Sequence, residues 1–267
     1  MDRLDEQIIL ASIMGCSRED IITGRRTPTS EEAAKFANAL TRRLNGEPTA
    51  YIVGRKEFYG HSFAVGCGVL IPRPETETII DAVRERYLNK QPAIILDLGT
   101  GSGAVLLTLL HLFPNARGIG IDISEAALVY ARQNAHAQKL GNRAEFMLGN
   151  FSKIPLPAAD LIVSNPPYIA KNDSRIEPNV AKYEPPEALF AGADGLESYR
   201  IIAAALAKKH KKSTLFLEIG SGQEFAVQQI FTEAGGSGAS LDLAASYKDL
   251  AGHIRVLEFA PSEKFSI

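Results

Sequence analysis

The chain has 267 residues, 45% of them hydrophobic, and a formal net charge of −2 at pH 7. That length and apolar content suit one large domain, or a large and a small one, with a sizeable core. The charge excludes a global field that draws the chain to nucleic acid, no apolar run reaches membrane length, and charges stand where a signal peptide needs an apolar core. Cys16 and Cys67 lack pairing or metal spacing and read as reduced thiols of a cytoplasmic protein. The histidines His61, His111, His136, His210 and His253 show no ligand spacing, so no metal is expected.

Residues 1–48 read as a helical domain. Leu4, Ile8, Ile9, Ala11 and Ile13 form an apolar-rich stretch that ends at Gly15. Ser17 with Asp20, and Thr29 with Glu32, resemble capping boxes, the second opening a helix that carries Phe36, Leu40 and Leu44. Gly46 and Pro48 terminate it. Residues 49–74 change character. Tyr51-Ile52-Val53 and Glu57-Phe58-Tyr59 alternate with polar residues, and Gly60-His61 turns the chain back into 62–65. This predicts a β-hairpin linker.

Residues 75–267 carry alternating strands and helices. Arg73-Pro74-Glu75-Thr76-Glu77 opens a helix to about Tyr87. Ala93-Ile94-Ile95-Leu96-Asp97 is a short strand closing on an acid, and Leu98-Gly99-Thr100-Gly101-Ser102-Gly103 leads into an apolar helix that meets no breaker until Pro114. Such glycines let a ligand approach the backbone closely, and the helix start presents free N–H groups. A second strand ends at Asp122, where an acid suits ribose hydroxyls, and Ser124 caps the next helix. The glycines run Gly99-x-Gly101-x-Gly103 rather than G-x-G-x-x-G. The preceding Asp97 repels a diphosphate and suits the ammonium and sulfonium of S-adenosylmethionine.

Further strands are predicted at 144–148, 161–164, 214–219, 240–244 and 253–259, with helices at 196–208 and 222–234. The strand–helix alternation implies a mostly parallel sheet covered on both faces, its last two strands an antiparallel edge. The strand at 161–164 runs into Asn165-Pro166-Pro167-Tyr168. Two prolines force the chain out of the sheet at the carboxyl end, where open α/β sheets bind ligands. The turn offers the Asn165 carbonyl, main-chain carbonyls and the Tyr168 ring, a set that suits a flat NH₂ group: a side-chain amide or the exocyclic amine of a base. On its own such a turn is more often structural, and the glycine loop upstream changes that reading. Residues 169–195 contain no convincing element, and a loop that long predicts a rim over the substrate.

With these motifs in place the chain resembles the release-factor glutamine methyltransferases, the HemK/PrmC family. The likeness is carried by Arg42-Arg43-Leu44 through Gly54, Glu57-Phe58-Tyr59-Gly60, Leu70 to Glu77, Asp97 to Gly103, Asn165 to Tyr168, Glu184-Pro185, and Asp194-Gly195-Leu196. It covers nearly the whole chain. The Pro-Arg-Pro-Glu-Thr-Glu run is its most family-specific piece; the related ribosomal-protein glutamine methyltransferases share the Asn-Pro-Pro-Tyr turn but look different there. The resemblance implies an α/β fold: a seven-stranded, Rossmann-like S-adenosylmethionine-dependent methyltransferase domain, preceded by a small helical domain that recognises the release factor and a hairpin linker. It implies methyl transfer to the glutamine of the Gly-Gly-Gln motif of class I peptide-chain release factors, with S-adenosylhomocysteine as the product.

Carried over by residue, the resemblance implies that Asp97, Gly99, Thr100, Gly101, Ser102 and Gly103 hold the methionine part of the cofactor and Asp122 the ribose. It also places Phe151 against the adenine and Asn165, Pro166, Pro167 and Tyr168 at the glutamine amide. The chain departs from the family's pattern at Asn150, where an acid usually precedes the aromatic; the Asn150 oxygen is expected to accept from adenine instead. The main rival is an adenine-N6 methyltransferase acting on nucleic acid. That chemistry calls for a basic groove or target domain, which this slightly acidic chain lacks, so no direct nucleic-acid binding is expected. Arg73, Glu75 and Glu77 are read as bordering the site or as a simple helix start. For Arg42-Arg43, release-factor contact and an exposed helix face are both open. The run Lys208-Lys209-His210-Lys211-Lys212 reads as a solvated helix end. Glu218 ends a strand at the ligand edge, where a buttress and a paired structural acid are both open readings.

Overall fold

A computed structural model describes residues 2–207, 212–235 and 241–261. Lys208 to Lys211 of the basic run, and Ser240 at the start of a predicted strand, lie outside the described residues.

The chain opens with α1 (Arg3–Met14), α2 (Arg18–Ile22) and α3 (Ser30–Leu44). Both capping boxes form, Ser17 with Asp20 and Thr29 with Glu32. Arg43 pairs with Asp5 at 2.8 Å and Arg42 with Glu47, so both arginines have partners close by. Tyr51-Ile52-Val53 is not a strand. It belongs to α4 (Thr49–Val53), which Pro48 starts and Gly54, at φ 77°, ends. Pro48 fits an N-cap because no helix hydrogen bond is asked of its nitrogen, and five residues are too few to show a helical period. The hairpin is correspondingly shorter: β1 (Arg55–Phe58) pairs antiparallel with β2 (His61–Ala64) across Tyr59 and Gly60, both at positive φ. Phe58 and Phe63 meet edge to face and are buried. A 3₁₀ turn, Pro74–Thr76, then leads into α5 (Glu77–Arg86).

The large sheet contains β3 (Ile94–Leu98), β4 (Arg117–Asp122), β5 (Ala144–Leu148), β6 (Leu161–Ser164), β7 (Thr214–Glu218), β8 (Leu241–Lys248) and β9 (Ile254–Pro261). Its order is β5-β4-β3-β6-β7-β9-β8. The chain steps outward from β3 to β5 and returns to β6 on the other side of β3, which makes the β3–β6 gap the topological switch point. β9 lies between β7 and β8, antiparallel to both. The last two strands thus form the antiparallel edge that the sequence suggests, with β8 outermost and β5 at the opposite edge.

Side chains alternate across the sheet as a strand period of two requires. Ile95, Leu161, Val163 and Phe216 pack with Ile79, Ile80 and Val83 of α5 and with α6 (Ala104–Leu112). α7 (Glu125–Ala137) follows β4. Residues 169–195, expected to be featureless, hold two short helices, α8 (Pro178–Tyr183) and α9 (Pro186–Leu189), and Ile169 bridges Phe190. Each helix has a proline in its first turn, and neither is long enough to show amphipathic spacing. On the opposite face of the sheet, Leu96, Leu98, Ile162, Leu215 and Leu217 pack with α10 (Glu197–Leu206) and α11 (Glu224–Gly235).

Candidate active site

One cavity of about 340 Å³ opens at the carboxyl ends of β3, β4 and β6. Its floor is the loop after β3. Gly99 and Gly101 take positive φ (77° and 56°), and a Cβ on Gly101 finds only Val69, 4.0 Å away. The backbone there is open to close approach by a ligand. The Gly99 and Thr100 N–H groups donate to the Ile121 carbonyl at 2.8 and 3.1 Å, which fixes the loop against β4. Gly103 does not line the cavity. It precedes α6 at φ 80°, where a Cβ would meet Leu107 and Ala131, so its role is close packing.

Asp97 is 2% exposed and accepts from the Thr100 hydroxyl at 2.7 Å. Burial pushes its carboxyl up to about 7, with the Asp122 charge adding to the shift. Among the described residues it has no cation partner, and such a buried acid beside an open cavity suits a positively charged ligand. Asp122 accepts from Gly101 N at 2.8 Å through Oδ2 and from Ser124 N at 2.9 Å through Oδ1. Two bonds leave a carboxylate with further lone pairs, enough for a diol. Burial also raises the Asp122 carboxyl.

Phe151 and Asn150 both border the cavity. The Asn150 oxygen is engaged by its own turn, accepting from Ser152 N at 2.9 Å and Ser152 Oγ at 2.6 Å. Adenine readout by that oxygen therefore competes with an internal Asx turn. Asn165 and Pro167 also line the cavity. Pro166 is buried, and neither it nor Tyr168 borders the space. The Tyr168 hydroxyl donates to Glu218 Oε1 at 3.4 Å, and its carbonyl accepts from Gln223 Nε2 at 3.1 Å. Asn165 Nδ2 donates to Thr76 Oγ1 at 2.9 Å, which leaves Oδ1 as its free acceptor.

Several lining residues escaped the sequence reading. Val69, Leu70 and Pro72 come from the linker, Thr76 from the 3₁₀ turn that follows it, and Pro185, Glu187 and Phe190 from the segment around α9. Arg73, Glu75 and Glu77 do not line the cavity. Arg73 pairs with Glu184, and Glu77 accepts from Tyr59 N at 2.7 Å. Thr76 is the residue of that run which reaches the site. Its signal was the run itself, since a small hydroxyl between two acids carries no period. Glu184 also accepts from Ile71 N at 3.0 Å, clamping the rim to the linker.

The residues present fit S-adenosylmethionine: an open glycine cradle, a buried unpaired acid for a cation, a second acid with spare lone pairs and an aromatic wall. Among the described residues, no group of three or more His, Cys, Asp or Glu could hold a metal ion. No helix of the described residues is long and apolar enough to cross a membrane.

Comparison with known proteins agrees with this chemistry. A family described as PrmC N-terminal domain matches residues 1–54, and one described as Methyltransferase domain matches residues 89–235. The release factor glutamine methyltransferase of Caulobacter vibrioides is 38% identical, over 95% of this chain and 88% of its own. That of Neisseria gonorrhoeae is 38% identical, over 96% of this chain and 92% of its own. Among solved structures, the hMettl16 catalytic domain in complex with a MAT2A 3′UTR hairpin shares the fold, with a TM-score of 0.57 at 16% identity over 88% of this chain and 84% of that one.

Proposed function

The chain belongs to the release factor glutamine methyltransferase family, and we propose that it methylates the side-chain N5 of the glutamine in the Gly-Gly-Gln motif of class I peptide-chain release factors, with S-adenosylmethionine as donor. The observation that carries this reading is the adjacency of two loops. The glycine loop after β3 and the Asn165 turn after β6 leave neighbouring parallel strands at the same level, with Leu98 in register with Ser164, and both border one cavity.

An amide nitrogen is a weak nucleophile because its lone pair is delocalised into the carbonyl. The bound donor supplies a methyl carbon on a sulfonium, and the protein has to position and desolvate the nitrogen. In this reading Asn165 Oδ1 accepts an N–H hydrogen of the amide and turns the nitrogen's lone-pair face toward the methyl carbon. As the new C–N bond forms, the sulfur keeps the electron pair of the bond that breaks. The same acceptor stabilises the positive charge developing on nitrogen. The methylated nitrogen is far more acidic, so its proton leaves afterwards to solvent without a dedicated base. Tyr168, anchored on Glu218, holds the turn from behind, and Pro167 closes the wall. Asp97 takes the donor's cationic end, Asp122 its ribose and Phe151 its adenine.

Tyr183 Oη donates to the Asn45 carbonyl at 3.0 Å, so the rim at α8 touches the end of α3. That contact supports release-factor recognition by residues 1–48, beside the site they serve. The same reading puts the protein in the cytoplasm, with neither a metal nor nucleic acid as partner.

The test is incubation with labelled donor and, in separate arms, unmodified release factor, ribosomal proteins and duplex oligonucleotide, followed by mass spectrometry. Label on the glutamine of Gly-Gly-Gln is expected. Label confined to adenine or to a ribosomal protein overturns the proposal.

A further inference from the structure

Glu218 is a buried acid that the chemistry above leaves without a direct part. It is 0% exposed at the end of β7, and its Oε2 has no hydrogen-bond partner among the described residues. A fully buried carboxyl oxygen without a partner costs stability and calls for a functional explanation. Its surroundings supply one. Tyr168 Oη donates to Oε1 at 3.4 Å, and the Thr76 hydroxyl lies near enough to favour the charged form of the carboxyl. Thr76 Oγ1 in turn accepts from Asn165 Nδ2 at 2.9 Å. The side chains of Thr76 and Asn165 both reach the cavity; Glu218 does not.

We propose that Glu218 is a positioning residue which, acting through Thr76, fixes the Asn165 carboxamide with Oδ1 rather than Nδ2 toward the methyl acceptor. A carboxamide is nearly symmetric in shape, so packing alone does not distinguish its two orientations. The unpartnered Glu218 oxygen does, by giving the Thr76 proton an acceptor. An ionised carboxylate only accepts, so the single proton of Thr76 goes to Glu218. The Thr76 oxygen is then left to accept, and only Nδ2 of Asn165 can donate to it. In the reversed orientation Nδ2 would face the donor hydrogens of the substrate amide, and the acceptor of the developing charge would be lost. The negative end of the chain also lies behind Asn165, where it favours positive charge on the reacting nitrogen.

Facing Glu218 are Tyr168 from the turn after β6, Arg255 from β9, Tyr199 from α10 and Glu75 from the 3₁₀ turn. Burial raises the carboxyl to about 7 against the pull of Arg255 and the two hydroxyls. This inference rests on the assignment of Asn165 to the substrate amide.

The experiment compares Glu218→Gln, Thr76→Val, Thr76→Ser and Asn165→Ala. Donor affinity is read by calorimetry, and kcat with release factor at saturating donor is followed across pH. A glutamine at 218 can donate to Thr76, which frees the threonine proton for Oδ1 and lets the carboxamide turn over. Glu218→Gln and Thr76→Val are expected to lower kcat by about tenfold or more while donor affinity stays within about twofold. Thr76→Ser, which keeps the hydroxyl, is expected to lose less than Thr76→Val. Wild-type kcat should fall as pH drops through about 7, and that limb should be missing in Glu218→Gln. If Glu218→Gln does not fold, the valine–serine pair at Thr76 carries the test. Unchanged kcat in both Glu218→Gln and Thr76→Val overturns the inference, as does a loss of kcat matched by an equal loss of donor affinity. An impaired Asn165→Ala beside unimpaired Glu218→Gln and Thr76→Val refutes this inference alone. An unimpaired Asn165→Ala refutes the assignment of the turn as well.

Discussion

The Ser164 hydroxyl donates to the Leu98 carbonyl at 2.7 Å, in a position with no solvent exposure. That bond ties the last residue of β6 to the last residue of β3, one step before the Asn165 turn and one step before the glycine loop. The glycine loop and the Asn165 turn thus sit on a rigid pair of strand ends. Preorganisation of this kind is what a transfer between two bound molecules requires.

Asn165→Ala removes the acceptor that the Thr76 bond orients. Turnover with release factor should fall by about 10² or more, on the scale of losing one transition-state hydrogen-bond partner. Donor affinity should stay largely intact. Single-turnover kinetics and calorimetry separate the two, and normal turnover would remove the mechanism.

Donor affinity should depend on pH through Asp97. Without donor its carboxyl titrates at about 7, above the ordinary carboxylate range. A cation beside it favours the charged form, so binding lowers that pKa. Above about pH 7 the acid is already ionised and affinity is flat. Below that, binding has to release a proton, and affinity should fall by up to about tenfold per pH unit. Asp97→Asn should flatten the slope. Calorimetric affinities that do not change between about pH 5.5 and 8 would contradict the assignment.

Asp122→Ala should act on the donor before it acts on chemistry. Hydrogen bonds to a charged group contribute about 1.5–3 kcal/mol, so donor affinity should drop by roughly tenfold to a hundredfold. The Gly101 and Ser124 N–H groups lose their acceptor as well. kcat at saturating donor should change much less. Unchanged affinity would show that the ribose lies elsewhere.

Glu184→Gln tests the rim. The Glu184 side chain is 1% exposed and pairs with Arg73, which is 31% exposed, while its other oxygen holds Ile71 N. The neutral variant should loosen the rim from the linker, so limited proteolysis within residues 169–195 should speed up severalfold. In the wild type, donor should protect the same segment. Identical cleavage in both proteins, with and without donor, would show that the segment is not a rim.

Much of this arrangement was legible in the sequence. The buried strands β3, β6 and β7 announce themselves as apolar runs, and Gly99-x-Gly101-x-Gly103 and Asn165-Pro166-Pro167-Tyr168 mark strand ends because glycine and proline act through the backbone alone. α4 was misread because a five-residue helix cannot display a period. The rim helices were missed for the same reason, and the place of β9 inside the sheet depends on contacts distant in sequence. At the site, Thr76 and Glu218 carry no local signal. Their importance comes from Asn165 meeting Thr76 across 89 positions of chain. The sequence placed Tyr168 over the substrate amide, whereas the fold turns its hydroxyl inward to Glu218.

A crystal structure with S-adenosylhomocysteine and a Gly-Gly-Gln peptide tests the central claim most directly. The glutamine nitrogen should lie about 2.9 Å from Asn165 Oδ1, facing the sulfur across the gap between β3 and β6. A peptide amide bound away from Asn165, or on the far side of the sheet from the sulfur, would contradict it.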